Sequence, residues 1–493
     1  MGRFHYKLIE YYLSLLTYSL IRLLMLSFPA YCFIYFLGIG GIGMSALARL
    51  LAAQGYTIVG YDKAASPLVT QLQNAGMFIH FTDSVTDIPS VIRQHPTKTL
   101  IIYTPAIPSD SPILNYLRGS GYTMLSRAEA LGSIVNHLPT VAIAGTHGKT
   151  TTSAILAHML YESTLAMLAF VGGIMHRYNS NIIYNHTLNQ VQVVITEADE
   201  FNKSFLQLTP SHSIVTSIDP DHLDTYATVA TMQENFKQFI KQSKQTVLVH
   251  AKAANQLQLT THGYSPLLTY GLNNAVIQAD NIRIAARQSV FDYIGDGVTI
   301  KEIILPLPGS YNIENALAAI TIGLTLGLTE AHVRASIASF PGMQRRFDYV
   351  VRNEKFVLID DYAHHPAEIA ALLSTVRYIY PNRCITAIFQ PHLFSRTADL
   401  YEAFGTTLSI ADQVLLLPIY PAREVAVPAI SSQLIYDCLS CKTKILVEEG
   451  KLLTILPSYM RKHAYHVVVT IGAGDIGTMV PAIAAVLAQQ LLQ

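Results

Sequence analysis

The residues with the clearest chemical reading are Gly145-Thr146-His147-Gly148-Lys149-Thr150-Thr151. They stand between the apolar run Thr140 to Ala144 and a helical stretch continuing through Ser153 to Leu160. Strand, glycine turn, Lys-Thr and helix together make a phosphate cradle. Free backbone N–H groups and the positive end of the helix face the anion, and Lys149 adds a point charge. The Thr150 hydroxyl is placed to bind Mg²⁺. The strict phosphate-loop pattern wants another glycine where Ile143 stands, so this is a variant whose first glycine is Gly145. ATP is the expected ligand. A second strand, Val191 to Thr196, runs into Glu197-Ala198-Asp199-Glu200, and carboxylates at the end of a neighbouring strand can hold Mg²⁺ beside the loop. A third, His212 to Ser217, leads to Asp219-Pro220-Asp221-His222-Leu223-Asp224, which brings a histidine and further carboxylates toward the same edge.

Other motifs flank this centre. Phe33 to Leu37 reads as a strand, Gly38-Ile39-Gly40-Gly41-Ile42-Gly43 as a glycine turn, Met44 to Gln54 as a helix, and Tyr56 to Tyr61 as a strand ending at Asp62. A pyrophosphate can sit on the helix N-terminus of such a βαβ unit, with an acid about 20 residues on for a ribose hydroxyl. The same spacing recurs at Gly472-Ala473-Gly474-Asp475-Ile476-Gly477, and tight strand-to-helix packing explains either copy as well as a dinucleotide does. Toward the C-terminus, Asp360-Asp361-Tyr362-Ala363-His364-His365-Pro366 follows the strand Lys355 to Ile359. Gln390-Pro391-His392-Leu393-Phe394-Ser395-Arg396 follows the strand Arg383 to Phe389. Polar loops after strands are where α/β sheets place their ligand-binding groups.

The elements that position these residues alternate strand and helix over most of 493 residues, enough for roughly three domains. Formal net charge is zero, so nothing points to a nucleic-acid partner. Four cysteines are too few for a disulfide framework, which fits a reducing, cytoplasmic setting. Cys438 and Cys441 have metal-like spacing but lie in a helical run with no second pair. Residues Leu8 to Leu37 are nearly continuously apolar, yet Arg22 and Pro29 interrupt them. Everything to Tyr31 is therefore set aside from the fold, with membrane contact expected only if this prefix is a real anchor.

In this order the segments resemble the Mur ligase family. The marks are GIGGIGMSALA at Gly38 to Ala48, GTHGKTT at Gly145 to Thr151, and EADE with SFL at Glu197 to Leu206. DHLDTY at Asp221 to Tyr226, PGSYNIENALAA at Pro308 to Ala319, RRF at Arg345 to Phe347, DDYAHHP, and QPH with SRT continue them. His147 is similar to the branch that adds alanine, where several sister ligases carry Asn. The resemblance implies an α/β protein of three domains after a hydrophobic extension over 1–32. These are a Rossmann-like UDP-binding domain over 33–138, a central P-loop-type ATPase domain over 139–345, and a smaller Rossmann-like domain over 346–493 that brings the amino acid. UDP-N-acetylmuramate and L-alanine are the implied substrates, with ATP and Mg²⁺. The resemblance puts Gly38, Gly40, Gly41, Gly43 and Asp62 at the sugar nucleotide, with His392 also at the substrate. It puts Gly145 to Thr151 at the ATP phosphates, Asn315 with Asn312 near adenine, and Asp360 or Asp361 near ribose. Thr150, Glu197 and His222 would hold the metal. Lys149, Arg346, His365 and Arg396 would serve the reacting groups, with the identity of the base left open among the histidines.

Departures are Ser217 for a usual Asn, Leu393 and Ala398 for Arg, and Asn202-Lys203 for Asp-Arg. Lys237 lies in the region where some sister ligases carry a carbamoylated lysine. Other readings compete: a nicotinamide oxidoreductase built on Gly38 to Asp62, a membrane-associated ATPase, and a family member that joins a whole peptide to UDP-muramate. The first leaves the Gly145 loop without a purpose.

Overall fold

The computed structural model describes residues 27–186, 190–220, 226, 228–260, 266–422, 424–460 and 465–489. Three sheets carry the site. The first runs in the order Phe78–His80, Thr57–Tyr61, Phe33–Leu37, Thr99–Tyr103, Thr123–Ser126, all parallel. Its strand order reverses beside Phe33–Leu37, and the crevice beyond the carboxyl ends of such strands is the ligand position of open α/β sheets. The glycine turn occupies that point and opens the helix Ile42–Ala53.

The second sheet places Thr140–Ala144 at its centre. Its order is Leu267–Tyr270, Thr246–His250, His212–Val215, Thr140–Ala144, Val193–Ala198, Met167–Met175, Ser180–Tyr184, with only the last strand antiparallel to its neighbour. Every residue of Thr140–Ala144 is buried, as expected for a parallel strand covered by helices on both faces. Lys149–Tyr161 covers one face, with Ser310–Thr325 packed against it through small residues, while on the other face Ala142 and Ala144 share a core with Met232, Phe236 and Phe239 of the helix Val229–Lys241. A separate antiparallel sheet, Gln278–Ala285, Gln288–Gly295 and Val298–Leu305, lies outside the motif pattern. Its local signal is Asp296-Gly297, both at positive φ (48° and 76°), which is the conformation of a tight hairpin turn.

The third sheet runs Asp348–Arg352, Phe356–Asp361, His466–Ile471, Cys384–Phe389, Gln413–Leu416, Thr443–Leu446, parallel except for its first strand. Cys438 ends the helix Gln433–Cys438 and Cys441 lies beyond it, so the two do not share a helix. Arg345 and Phe347, in the segment that leads into this sheet, sit at φ 60° and 48°.

The exclusion of everything up to Tyr31 is corrected at its last residues. Phe28 is 9% exposed and belongs to the first core. Its N–H donates to Tyr56 Oη at 2.7 Å, and Ser27 Oγ donates to Gln54 Oε1 at 3.0 Å. The apolar prefix 1–26, and with it the expectation of membrane contact, falls outside the described residues. Among the described residues no helix is long and apolar enough to cross a membrane.

Candidate active site

The phosphate loop depends on two glycines. Gly145 (φ 132°) and Gly148 (φ 82°) adopt conformations that side chains disfavour. A Cβ on Gly148 would also lie 2.6 Å from Asn315 Oδ1. Ser217, the departure from Asn, fastens the loop: its Oγ is 2.9 Å from Thr146 Oγ1 and accepts the His147 N–H at 2.8 Å. Lys149 Nζ donates to the Gly145 carbonyl and to both Glu200 oxygens at 3.0 and 2.9 Å. Burial works against the lysine charge, but Glu200, Asp199 and Glu197 outweigh it and hold its pKa above the ordinary value.

Glu197 occupies a cradle of its own. It accepts from Thr150 Oγ1 at 3.2 Å, from Ser153 Oγ at 3.2 Å and from the Gly172 N–H at 2.5 Å. A Cβ at position 172 would stand 2.5 Å from Glu197 Oε2, so the carboxylate fits because Gly172 has no side chain. Among the described residues no group of three or more His, Cys, Asp or Glu forms a metal site. Glu197 and Thr150, two of the expected metal ligands, stand in contact beside the loop, and the third, His222, falls in 221–225, outside the described residues.

Two cavities meet at the loop. A cleft of about 550 Å³ is bounded by Gly41 and Gly43 of the first domain, by Lys149, Glu197 and Glu200 of the second, and by Tyr362 and His364 of the third. A pocket of about 270 Å³ is bounded by Thr151, Asn312, Asn315, Tyr270, Asp361 and Leu372. His147, Gly148, Arg346 and Glu368 line both and form the neck between them. Arg346 Nη2 donates to Thr150 Oγ1 at 3.4 Å, and its guanidinium lies 5.2 Å over the Tyr362 ring.

Asp360 and Asp361 are neighbours on one strand, and strand alternation points them to opposite faces. Asp361 faces the smaller pocket, accepting the Phe347 N–H at 2.7 Å and the Ala363 N–H at 2.8 Å. Burial pushes its carboxyl up to about 6, against the pull of Arg346 and the two backbone donors. Asp360 is instead held by Thr470 Oγ1 at 2.7 Å and Arg345 Nε at 3.4 Å.

Several expected residues stand elsewhere. Asp62 accepts the Gly40 N–H at 2.7 Å, so it fixes the glycine turn; Asp62, Gly38 and Gly40 are not among the described residues lining either cavity. His365 caps the helix Pro366–Ile379, accepting from the Ala367 N–H at 3.3 Å, with its ring 4.9 Å from that of His147. His392 stacks on Tyr420 at 5.8 Å, and Arg396 is buried; neither is among the described residues lining these two cavities. Lys237 pairs with Glu234 at 2.9 Å and also lines neither. The motif reading passed over Arg127, which lines the cleft and joins the first two domains through Asp199 at 2.9 Å. It also passed over Glu368, although a Glu three residues after a cap position is a recognisable sequence signal.

The comparisons with known proteins run the length of this architecture. Family profiles match at 33–138 (Mur ligase family, catalytic domain), 143–323 (Mur ligase middle domain) and 345–474 (Mur ligase, glutamate ligase domain). A UDP-N-acetylmuramate–L-alanine ligase of Porphyromonas gingivalis is 42% identical over 91% of this chain and 97% of its own. One from Cytophaga hutchinsonii is 40% identical over 90% and 94%. The crystal structure of a UDP-N-acetylmuramate–alanine ligase from Thermotoga maritima superposes with a TM-score of 0.76 at 26% identity, covering 94% of this chain and 100% of that one. A murein peptide ligase from Psychrobacter arcticus shares the fold, with a TM-score of 0.67 at 20% identity over 92% and 98%. With matching segments on all three domains and about two-fifths identity over nine-tenths of the chain, the protein belongs to the Mur ligase family.

Proposed function

We propose that this chain joins L-alanine to the lactyl carboxylate of UDP-N-acetylmuramate, with ATP converted to ADP and phosphate, as a cytoplasmic step in peptidoglycan precursor synthesis. The observation that carries the reading is the neck at His147, Gly148, Arg346 and Glu368, where a nucleotide-sized pocket opens beside Lys149 onto a larger cleft. The relatives' identity favours alanine over a whole peptide as the incoming amine. The units taken to do this are 33–138, 139–345 and 346–493.

In this reading the smaller pocket takes the adenosine, with Asn315 and Asn312 at the base and Asp361 at the ribose. The Gly145 to Thr151 loop takes the phosphates. Mg²⁺ fits the hard oxygens of Glu197 and Thr150, and it would offset charge on the phosphoryl oxygens. The sugar nucleotide lies in the larger cleft against Gly41 and Gly43. A carboxylate is a poor electrophile toward an amine, so it must first be activated. The lactyl carboxylate attacks the γ-phosphorus, an O–P bond forms, and the bond to ADP breaks. Lys149 and Arg346 stabilise the charge that spreads over the transferred group. The alanine amine, having lost a proton to a base, then attacks the acyl carbon, and phosphate leaves with the former carboxylate oxygen. Of the three histidines His364, His365 and His392, only His364 lines this cleft, beside His147 of the phosphate loop, which supports it over the other two as the proton acceptor.

The test follows that oxygen. With oxygen-18 in the muramate carboxylate, the released phosphate should carry label and turnover should require alanine. Phosphate whose new oxygen comes from water, with no alanyl product, would make the protein a hydrolase and end this reading.

A further inference from the structure

Glu368 and His147 belong to different domains and meet at the neck between the two cavities. Glu368 divides its oxygens. Oε2 accepts the His364 N–H at 2.9 Å and the His365 N–H at 3.2 Å, which completes the cap of Pro366–Ile379. Oε1 has no part in the cap and stands 3.2 Å from His147 Nδ1. The other imidazole nitrogen, Nε2, is 3.6 Å from Asp219 Oδ2. The phosphate-loop histidine is therefore flanked by one carboxylate from its own domain and one from the third. At 16% and 14% side-chain exposure the pair is shielded from most of the solvent and salt that cancel surface ion pairs. A Glu that merely capped its helix would need neither this reach nor this burial.

We propose that Glu368 is a positioning residue of the ligation reaction, docking the third domain on the phosphate loop through His147. The proposal takes the reaction from the ligase reading above, while the docking itself stands on the geometry alone. Any displacement of the third domain separates Oε1 from the imidazole. With that contact goes the placement of Arg346 and His364, which lie beside Glu368 around the neck and the cleft.

The experiment is a double-substitution cycle. Glu368→Gln keeps an oxygen for the cap and removes the charge, while His147→Asn removes the imidazole and leaves the third domain untouched. Each single change should lower kcat/KM for ATP at least about tenfold, and Glu368→Gln in the His147→Asn background should change it less than about twofold further. In the ligand-free protein, hydrogen–deuterium exchange across 362–372 should accelerate at least about threefold in His147→Asn, although the substitution lies in another domain. A cap-only Glu368 predicts a near-normal Glu368→Gln variant and unchanged exchange. Additive losses in the cycle, or exchange that His147→Asn leaves unaltered, overturn the proposal. If the wild-type chain turns over no UDP-N-acetylmuramate with alanine, the ligase reading fails instead, and the exchange measurement still decides the docking.

Discussion

Replacing Lys149 by alanine separates catalysis from folding, because the lysine serves both. As the cation of the phosphate loop it faces the transferred group, and its loss should cost at least about a hundredfold in kcat/KM, or roughly 3 kcal/mol of transition-state stabilisation. In the ligand-free fold it also donates to both oxygens of Glu200, whose side chain is only 2% exposed. Removing one partner from a buried pair costs about 3–5 kcal/mol, because a charge stays behind in low dielectric. The low end applies here, since Glu200 keeps a contact besides Lys149; for a domain of this size that means a Tm lower on the order of 5–10 °C. Adding Glu200→Gln removes the remaining carboxylate charge and should recover part of the Tm while leaving turnover as poor as before. Thermal melts and phosphate release, run on the wild type, the single and the double variant, give the comparison. Near-normal turnover in either variant would refute the phosphate-loop role, and an unchanged Tm in Lys149→Ala would refute the buried-pair argument.

Asp361→Asn should raise KM for ATP at least about tenfold, while Asp360→Asn should chiefly lower stability; equal effects on KM would contradict the split between strand faces. Asp361 also sets a pH dependence. Its folded pKa of about 6 lies above the usual carboxylate value, so the folded state holds a proton that the unfolded chain releases. Stability from this group is present at low pH and is lost as pH rises through the interval up to about 6. The Tm advantage of wild type over Asp361→Asn should therefore be larger at pH 4 than at pH 7, and a pH-independent difference would exclude it. A chain beginning at Ala30 should keep ligase activity yet lose about 1–3 kcal/mol, the burial of Phe28, relative to one beginning at Ser27. Identical melts for the two would show that Phe28 contributes nothing.

The strands Phe33–Leu37, Thr140–Ala144 and His466–Ile471 were legible because each is an apolar run ended by a glycine turn. Polarity misled the reading at strand ends. Glu197 lies within Val193–Ala198, and Asp360 and Asp361 within Phe356–Asp361, because a strand at a sheet's functional edge continues its ladder through charged residues. Periodicity could show that Asp360 and Asp361 face opposite ways but not which face meets a pocket built by Asn312 and Asn315. Arg127, Glu200 and Glu368 act across domain or loop junctions, where no local pattern announces a partner that is far away in sequence.

The cradle around Glu197 limits how this protein can change. Because a methyl at position 172 would stand 2.5 Å from Glu197 Oε2, even alanine there must displace the carboxylate. Glycine is therefore the one genetically encoded choice that leaves this wall intact. A compound that rests against the Glu197 carboxylate and hydrogen-bonds Thr150 would press on a surface that single-codon drift at position 172 cannot reshape without moving Glu197. Escape from such a compound would have to arise elsewhere, for example on the facing Arg346 and Tyr362 side of the cleft.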